Sequence, residues 1–430
     1  PTRTSLKHVL FYSIILTRLG RSSAARRYIL YVSLSGAVFG IMQFGEVIAR
    51  KSLGASPLMV TLITMTMPVA ALTSIWWAKL IEAGDQRKLL IFVGSIGYLA
   101  LASGAFLFNV SHLLIFYLIF FLSFALVGPS ENRILQQYVA SGSTGKTVGM
   151  GYSIRMGVAA LACGVAGIWM EHTEGGFRNM YPVAALIGFI AIGILATIQT
   201  KNNQVSKPLK VDSHFIFSPI KDVIALLKRR KDYLRFEIAF MTYGIAFMMT
   251  LPVVPLFLVD DLGLGYDVIG LARGTGTQIV MILTIPIFGR LFDRTTPHRM
   301  GAYVFSALGL YPVILLSAAY FEGIMRDILV YTSFAYFGTV MSGVMLLWNL
   351  SSLRFSGDED AGVYHSVHIT ATGIRGVFAP LLGYFVMTFL GKTTALLTAA
   401  VLFFIGGILM VVMRKIDIKN GEATSLRAHI

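Results

Sequence analysis

The sequence is short of charge. Asp, Glu, Lys and Arg make up only 13 % of its 430 residues, against about 25 % in soluble domains. That shortage excludes an ordinary water-facing surface. There is a single cysteine, Cys163, so no intrachain disulfide can form and no paired thiolate ligands exist. A phosphate-cradling Gly-rich Lys-Ser/Thr loop, a His-Glu-x-x-His and a Gly-x-Ser-x-Gly elbow are all missing. ATP-driven, zinc-hydrolase and serine-hydrolase chemistry therefore lack support. The chain is predicted to be no enzyme and to carry no cofactor and no metal.

What is there is apolar. Hydrophobic residues reach 56 % and mean hydropathy is +0.72. The apolar runs are continuous and about 20 residues long, the length that crosses a bilayer as a helix. A helix satisfies its own backbone in hydrocarbon, whereas a β-barrel would show short alternating segments. The predicted fold class is an all-α membrane protein with twelve transmembrane helices in two pseudo-symmetric six-helix bundles. The predicted spans are 28–48, 57–79, 89–109, 112–138, 147–170, 179–199, 234–258, 266–290, 300–321, 325–352, 362–389 and 392–413. They divide the chain into an N-terminal segment (1–27), a six-helix bundle (28–199), a basic linker (200–233), a second bundle (234–413) and a polar tail (414–430). In the first segment, apolar residues 9–17 precede Arg18, Arg21, Arg26 and Arg27, which fits an interfacial helix rather than a cleaved signal. In the linker, Ile220, Val223, Ile224, Leu226 and Leu227 with Lys228, Arg229, Arg230 and Lys231 predict an amphipathic helix on the inner leaflet.

The net charge of +15 does not call for nucleic acid. Of the 36 Lys and Arg, Arg50, Lys51, Arg178, Arg326 and Lys392 fall in loops on one side, and Arg133, Arg155, Arg273 and Arg375 fall within spans. The rest lie on the side of the termini. By the positive-inside rule both termini are cytoplasmic. The predicted location is the plasma membrane, a bacterial inner membrane, with the chain a monomer in lipid.

An internal repeat links the two bundles. Leu53-Gly54-Ala55-Ser56-Pro57 joins spans 1 and 2, and Leu262-Gly263-Leu264-Gly265-Tyr266 joins spans 7 and 8. Ile154-Arg155 is echoed by Ile374-Arg375, and Asn132 by Asn349. Two parallel six-helix repeats with a solute site between them form a transporter architecture.

After span 8 comes the hairpin Gly289-Arg290-Leu291-Phe292-Asp293-Arg294-Thr295-Thr296-Pro297-His298-Arg299. With the twelve spans, the repeat and the basic linker, it resembles the major facilitator superfamily over essentially the whole chain. Gly289, Asp293, Arg294 and Arg299 match that family's hairpin pattern. The first-half copy is degraded: Ala78 stands for the Gly, Glu82 for the Asp and Ala83 for the Arg, while Arg87 and Lys88 keep the terminal bases. The resemblance implies a cytoplasmic gate built from Gly289, Asp293, Arg294, Arg299, Glu82 and Arg87, intact under span 8 and weakened under span 2. It also implies a cavity lined mainly by spans 1, 4, 7 and 10.

Ionisable side chains within spans are costly and mark function or a partner. Arg375, Arg155 and Arg273 are the candidate solute contacts, with Asn132, Asn349, Tyr243 and Trp348 beside them. Glu46, Glu237 and Glu131 are candidate proton carriers, because a partly dry cavity raises a carboxyl pKa. His365 and His368, three residues apart, share a helix face and are a candidate relay. Arginines outnumber acids in the spans, which favours an anionic or carboxylate-bearing solute. The expected function is a secondary active transporter of a small organic solute, working by alternating access and coupled to protons. Two alternatives stay open: polyspecific efflux of amphiphiles, and a non-transporting assembly or receptor protein of the same fold. Exporters of that family often carry Gly-Pro in span 5; Ala162-Cys163-Gly164 has no proline there.

Overall fold

A computed structural model describes residues 23–138, 144–198, 223–357, 359 and 361–421. The predicted interfacial helix at 9–17 and most of the linker lie outside them. Among the described residues there is no strand. Among those same residues, eleven helices are long and apolar enough to cross a membrane. A twelfth is built from Pro57–Leu72 and Ser74–Ala83. In order they are α1 (Ser23–Met42 and Gly45–Lys51), α2 (Pro57–Leu72 and Ser74–Ala83), α3 (Gln86–Ala102, ending in a 3₁₀ turn) and α4 (Val110–Phe124 and Val127–Tyr138). Then come α5 (Thr144–His172), α6 (Gly176–Ala196), α7 (Lys231–Leu256, extended by a π-turn at Phe257–Asp261) and α8 (Tyr266–Ile269, Gly270–Gly276 and Thr277–Arg294). The last four are α9 (Pro297–Leu308 and Leu310–Ser317), α10 (Gly323–Ser356), α11 (Ala361–Leu390) and α12 (Lys392–Lys419).

Helix starts follow from local chemistry. Ser56 accepts from the Met59 N–H with Pro57 at the first helical position, and Thr296 accepts from Arg299 N–H with Pro297 next to it. Asn109 and Asp85 cap α4 and α3 in the same way. Gly54 and Gly263 both sit at positive φ, +63° and +61°, at equivalent points of the repeat. A side chain there would be strained, so the shared glycine sets the same turn into α2 and α8.

Packing repeats as well. α1 lies on α5 and α6, and α7 lies on α11 and α12; α6 packs on α3 as α12 packs on α9. The two halves meet through α5 against α8 and α2 against α11, a symmetric pair of crossings. α1 presents Gly36 and Gly40 to α5, where an added Cβ would strike the carbonyls of Arg155 and Ala159. Such a small-xxx-small stripe lets backbones approach closely.

One apolar core runs through the first half and takes in Val253, Leu256, Phe257, Leu262, Leu264, Tyr266 and Ile269 of the second half. These lie at the end of the bundle opposite the termini, here called the far end. Toward the terminal end the second half closes on a separate core around Phe236, Phe240, Phe305, Phe355 and Phe403. There the last residues of the linker are tied down: Arg229 and Arg230 both bond Glu359, between α10 and α11. Arg229's hydrogen bond holds the Glu359 carboxyl below the usual carboxylate range. Glu359, exposed between α10 and α11, thus takes both arginines at the end of the linker.

Candidate solute site between the two halves

In the register set by Gly54 and Gly263, Tyr28, Tyr31 and Ser35 of α1 correspond to Glu237, Phe240 and Gly244 of α7. Arg155 of α5 corresponds to Arg375 of α11. The structure uses these positions as two versions of one frame. In the first half Arg155 Nη2 lies 2.8 and 2.9 Å from the Glu131 oxygens. Its Nε donates to Ser35 Oγ at 3.2 Å, and its guanidinium lies over the Tyr31 ring at 5.6 Å. Tyr28 donates to Glu131 at 2.8 Å. This frame is closed: one acid, one permanent cation, two phenols.

In the second half Arg375 lies over the Phe240 ring at 5.4 Å and against Gly244, where the first half has Tyr31 and Ser35. Nothing replaces Ser35's hydroxyl, so Arg375 Nε is buried without a hydrogen-bond partner. Its Nη1 donates to the Phe240 carbonyl at 3.2 Å. The residue is 3 % exposed, and among the described residues no carboxylate comes within ion-pair distance. The acid has moved. Where α4 carries Glu131, α10 carries Trp348 in the register of Asn132 and Asn349, and α7 carries Glu237 in the place of Tyr28. Glu237 is bonded by His368 Nδ1 at 2.9 and 3.1 Å, two turns along α11 from Arg375. The second frame therefore pairs its acid with a titratable base and leaves its arginine uncompensated.

The other expected residues fall in different places. Glu237 is buried rather than at a wet membrane edge. His365 joins His368 and Trp348 in ring contacts of 5.7 to 6.5 Å, and His368 Nε2 is buried and unpartnered. Tyr243 does not line an open wall: it stacks on Phe305 at 4.3 Å and leans on Phe403, because its ring fills the core of the second half. Asn349 is exposed and donates to Met345 O on its own helix at 2.8 Å, as a short amide in a helix can do without a partner. The side chains of Asn132 and Glu82 lie outside the described residues. Asp293, Arg294, Arg299 and Arg87 are exposed. A Cβ added to Gly289 would meet nothing within 4 Å, so no neighbouring element packs closely on that glycine here. The turn after α8 is held instead by Arg354 of α10, which donates to Phe292 O at 3.1 Å and Thr295 O at 3.4 Å.

Polar contacts between the halves gather at the far end. Arg50 bonds Asp260 at 2.7 Å. Lys51 bonds Glu171 and the Leu264 carbonyl; Tyr266 N–H donates to Glu171 at 2.6 Å; Ser52 and Tyr266 hydroxyls are 2.6 Å apart. Lys392 joins Asp260 and Asp261. Just inside this clasp, Arg273 of α8 lies 3.7 Å from Glu46 of α1. Hydropathy gave no warning of Gln43 and Gln278, uncharged amides within spans; each has buried side-chain atoms without a partner.

The family model described as Major Facilitator Superfamily matches residues 22–380 and 239–428. No curated protein matches by sequence. Among solved structures the chain is similar to the nucleoside transporter NupG (14 % identity, TM-score 0.70, covering 90 % of this chain and 98 % of that one). It is similar to a bacterial homologue of the human lysosomal transporter Spinster, in an inward-facing and unoccupied conformation (12 %, TM-score 0.68, 93 % and 98 %). It also resembles a bacterial homologue of the human drug peptide transporters PepT1 and PepT2 (11 %, TM-score 0.67, 93 % and 98 %).

Proposed function

Because the chain belongs to the major facilitator superfamily, we propose that it is a secondary active transporter that moves a small organic solute with an anionic group, coupled to protons. The observation that carries the anion is the contrast between the two frames. Arg155 is neutralised by Glu131; Arg375 is buried with an unused donor and, among the described residues, no acid within ion-pair distance. An unpaired buried charge is expensive, and a carboxylate that pairs with the guanidinium bidentately would recover that cost. The Glu237–His368 pair supports proton coupling, because two side chains that can each carry a proton lie in direct hydrogen-bond contact inside the bundle. With the termini cytoplasmic in a bacterial inner membrane, the clasped far end faces outward. The conformation is then the inward-facing one, and transport proceeds as the two halves rock about the α5–α8 and α2–α11 crossings.

The test is uptake and counterflow in proteoliposomes. Arg375→Ala should abolish transport of anions that the wild type carries, with Arg375→Lys retaining part of it. Unchanged rates for every tested anion would remove the anionic reading. Glu237→Gln should keep counterflow but lose accumulation driven by a proton gradient. Wild-type accumulation that needs no gradient would sink the coupling.

A further inference from the structure

The α1–α8 crossing, just inside the far-end clasp, carries a second polar site. Both helices are irregular there. α1 breaks between Met42 and Gly45, and the Met42 carbonyl that the break frees accepts from the Tyr117 hydroxyl at 3.1 Å. α8 opens into π-helical turns over Gly270–Gly276. Helix breaks and π-turns re-aim side chains and backbone, and in transporters such interruptions line solute sites. Phe44 at the break meets Gly270 in the π-stretch, so the two irregularities touch across the halves.

The polar groups at this crossing are under-used. Glu46 and Arg273 are 3.7 Å apart, too far for a hydrogen bond, and Arg273 Nη1 is buried without an acceptor. Gln43, one turn before Glu46, has a free buried amide nitrogen, and its carbonyl oxygen lies near Gly274, beside Arg273. Gln278 lies a turn beyond Gly274, is 4 % exposed and has neither amide atom bonded. Buried polar groups are normally satisfied, and a cluster of exceptions needs a cause. A loosened acid–base couple flanked by spare amides matches a molecule with both charges.

We propose that this crossing seats a zwitterionic solute, its carboxylate on Arg273, its ammonium on Glu46, and its remaining polar atoms on Gln43 and Gln278. This rests on the transporter reading but not on Arg375. Because the four residues come from opposite halves, the seat is complete only while the far end is closed.

The experiment is thermal shift and calorimetry on the full chain in detergent. The probes are α-amino acids, dipeptides and betaines, with the methyl ester and N-acyl form of each binder. At least one zwitterion should bind, and removing either of its charges should weaken it at least tenfold. Arg273→Ala and Glu46→Ala should each cost at least tenfold, with Arg273→Lys and Glu46→Asp recovering part. Gln278→Leu gives the readout that a structural role would not: the ligand-free protein should melt no lower than wild type, because an unsatisfied buried amide has been removed, while affinity falls. Binding of singly charged solutes as tight as zwitterions, no binding by any zwitterion, or a melting loss in Gln278→Leu with affinity intact would each overturn the proposal. If Arg375-dependent anion uptake persists in those cases, the transporter reading stands without this seat.

Discussion

Glu131 and Glu237 hold opposite corners of one repeated frame, and their substitution should have unlike effects. Glu131→Gln keeps a shape that can accept from Tyr28 but strips the charge that balances Arg155. Breaking a fully buried pair from one side costs about 3–5 kcal/mol; this pair is part-buried, so the loss should be smaller, and the variant should still melt below wild type. Glu131→Gln combined with Arg155→Gln should recover a large part of that loss, as expected for coupled partners. A thermal-unfolding double-mutant cycle in detergent measures it; additive losses would show that the pair is not coupled. The charged members of both frames were legible as costly residues inside apolar runs. Their partners were not. Tyr28, Tyr31 and Ser35 are common in any span, and only the three-dimensional register shows them meeting Arg155. Asn349 read as a repeat of Asn132, yet a short amide can satisfy itself on its own helix, and sequence cannot tell that outcome from a contact.

At the scale of elements, hydropathy located the spans because their length is set by the bilayer, and caps at Ser56, Asp85, Asn109 and Thr296 mark helix starts. The breaks were harder. In α4 the interruption at Ala125 and Leu126 falls just before Pro129, whose missing N–H disrupts the preceding turn. The break in α1 has no proline. There the Tyr117 hydroxyl reaches from α4 to Met42 O, a tertiary contact that no local sequence signal announces. The α5–α8 crossing carries its own prediction. A Cβ at Gly167 would press on the Tyr266 carbonyl, the Phe44 ring and Gly270 Cα. Gly167→Leu should therefore keep α5 from seating on α8 and hold the far end apart. The protein should insert, yet transport should fall at least tenfold; wild-type rates would show that the contact is dispensable.

For the whole molecule, the twelve-helix architecture and its repeat were readable because composition and period-scale similarity survive without knowing any contact. The conformational state was not, since a sequence holds every state of the cycle at once. The residues of the expected terminal-end gate, Asp293, Arg294 and Arg299, stand exposed, while the far end is clasped. Asp260 is the keystone of that clasp, bonded by Arg50 from one half and Lys392 from the other. Asp260→Asn should shift the population toward a far-end-open form, more so at low ionic strength, where the lost attraction is least screened. The lone cysteine supplies a gauge for that shift. Cys163 is 2 % exposed and pressed against Gly274 across the α5–α8 crossing, so alkylating reagents can reach it only when the halves part there. Its labelling rate should rise in Asp260→Asn and in Gly167→Leu and fall when a solute holds the crossing shut. The unaltered chain thus carries a built-in clock for its own transport cycle, one sulfur whose chemistry counts openings.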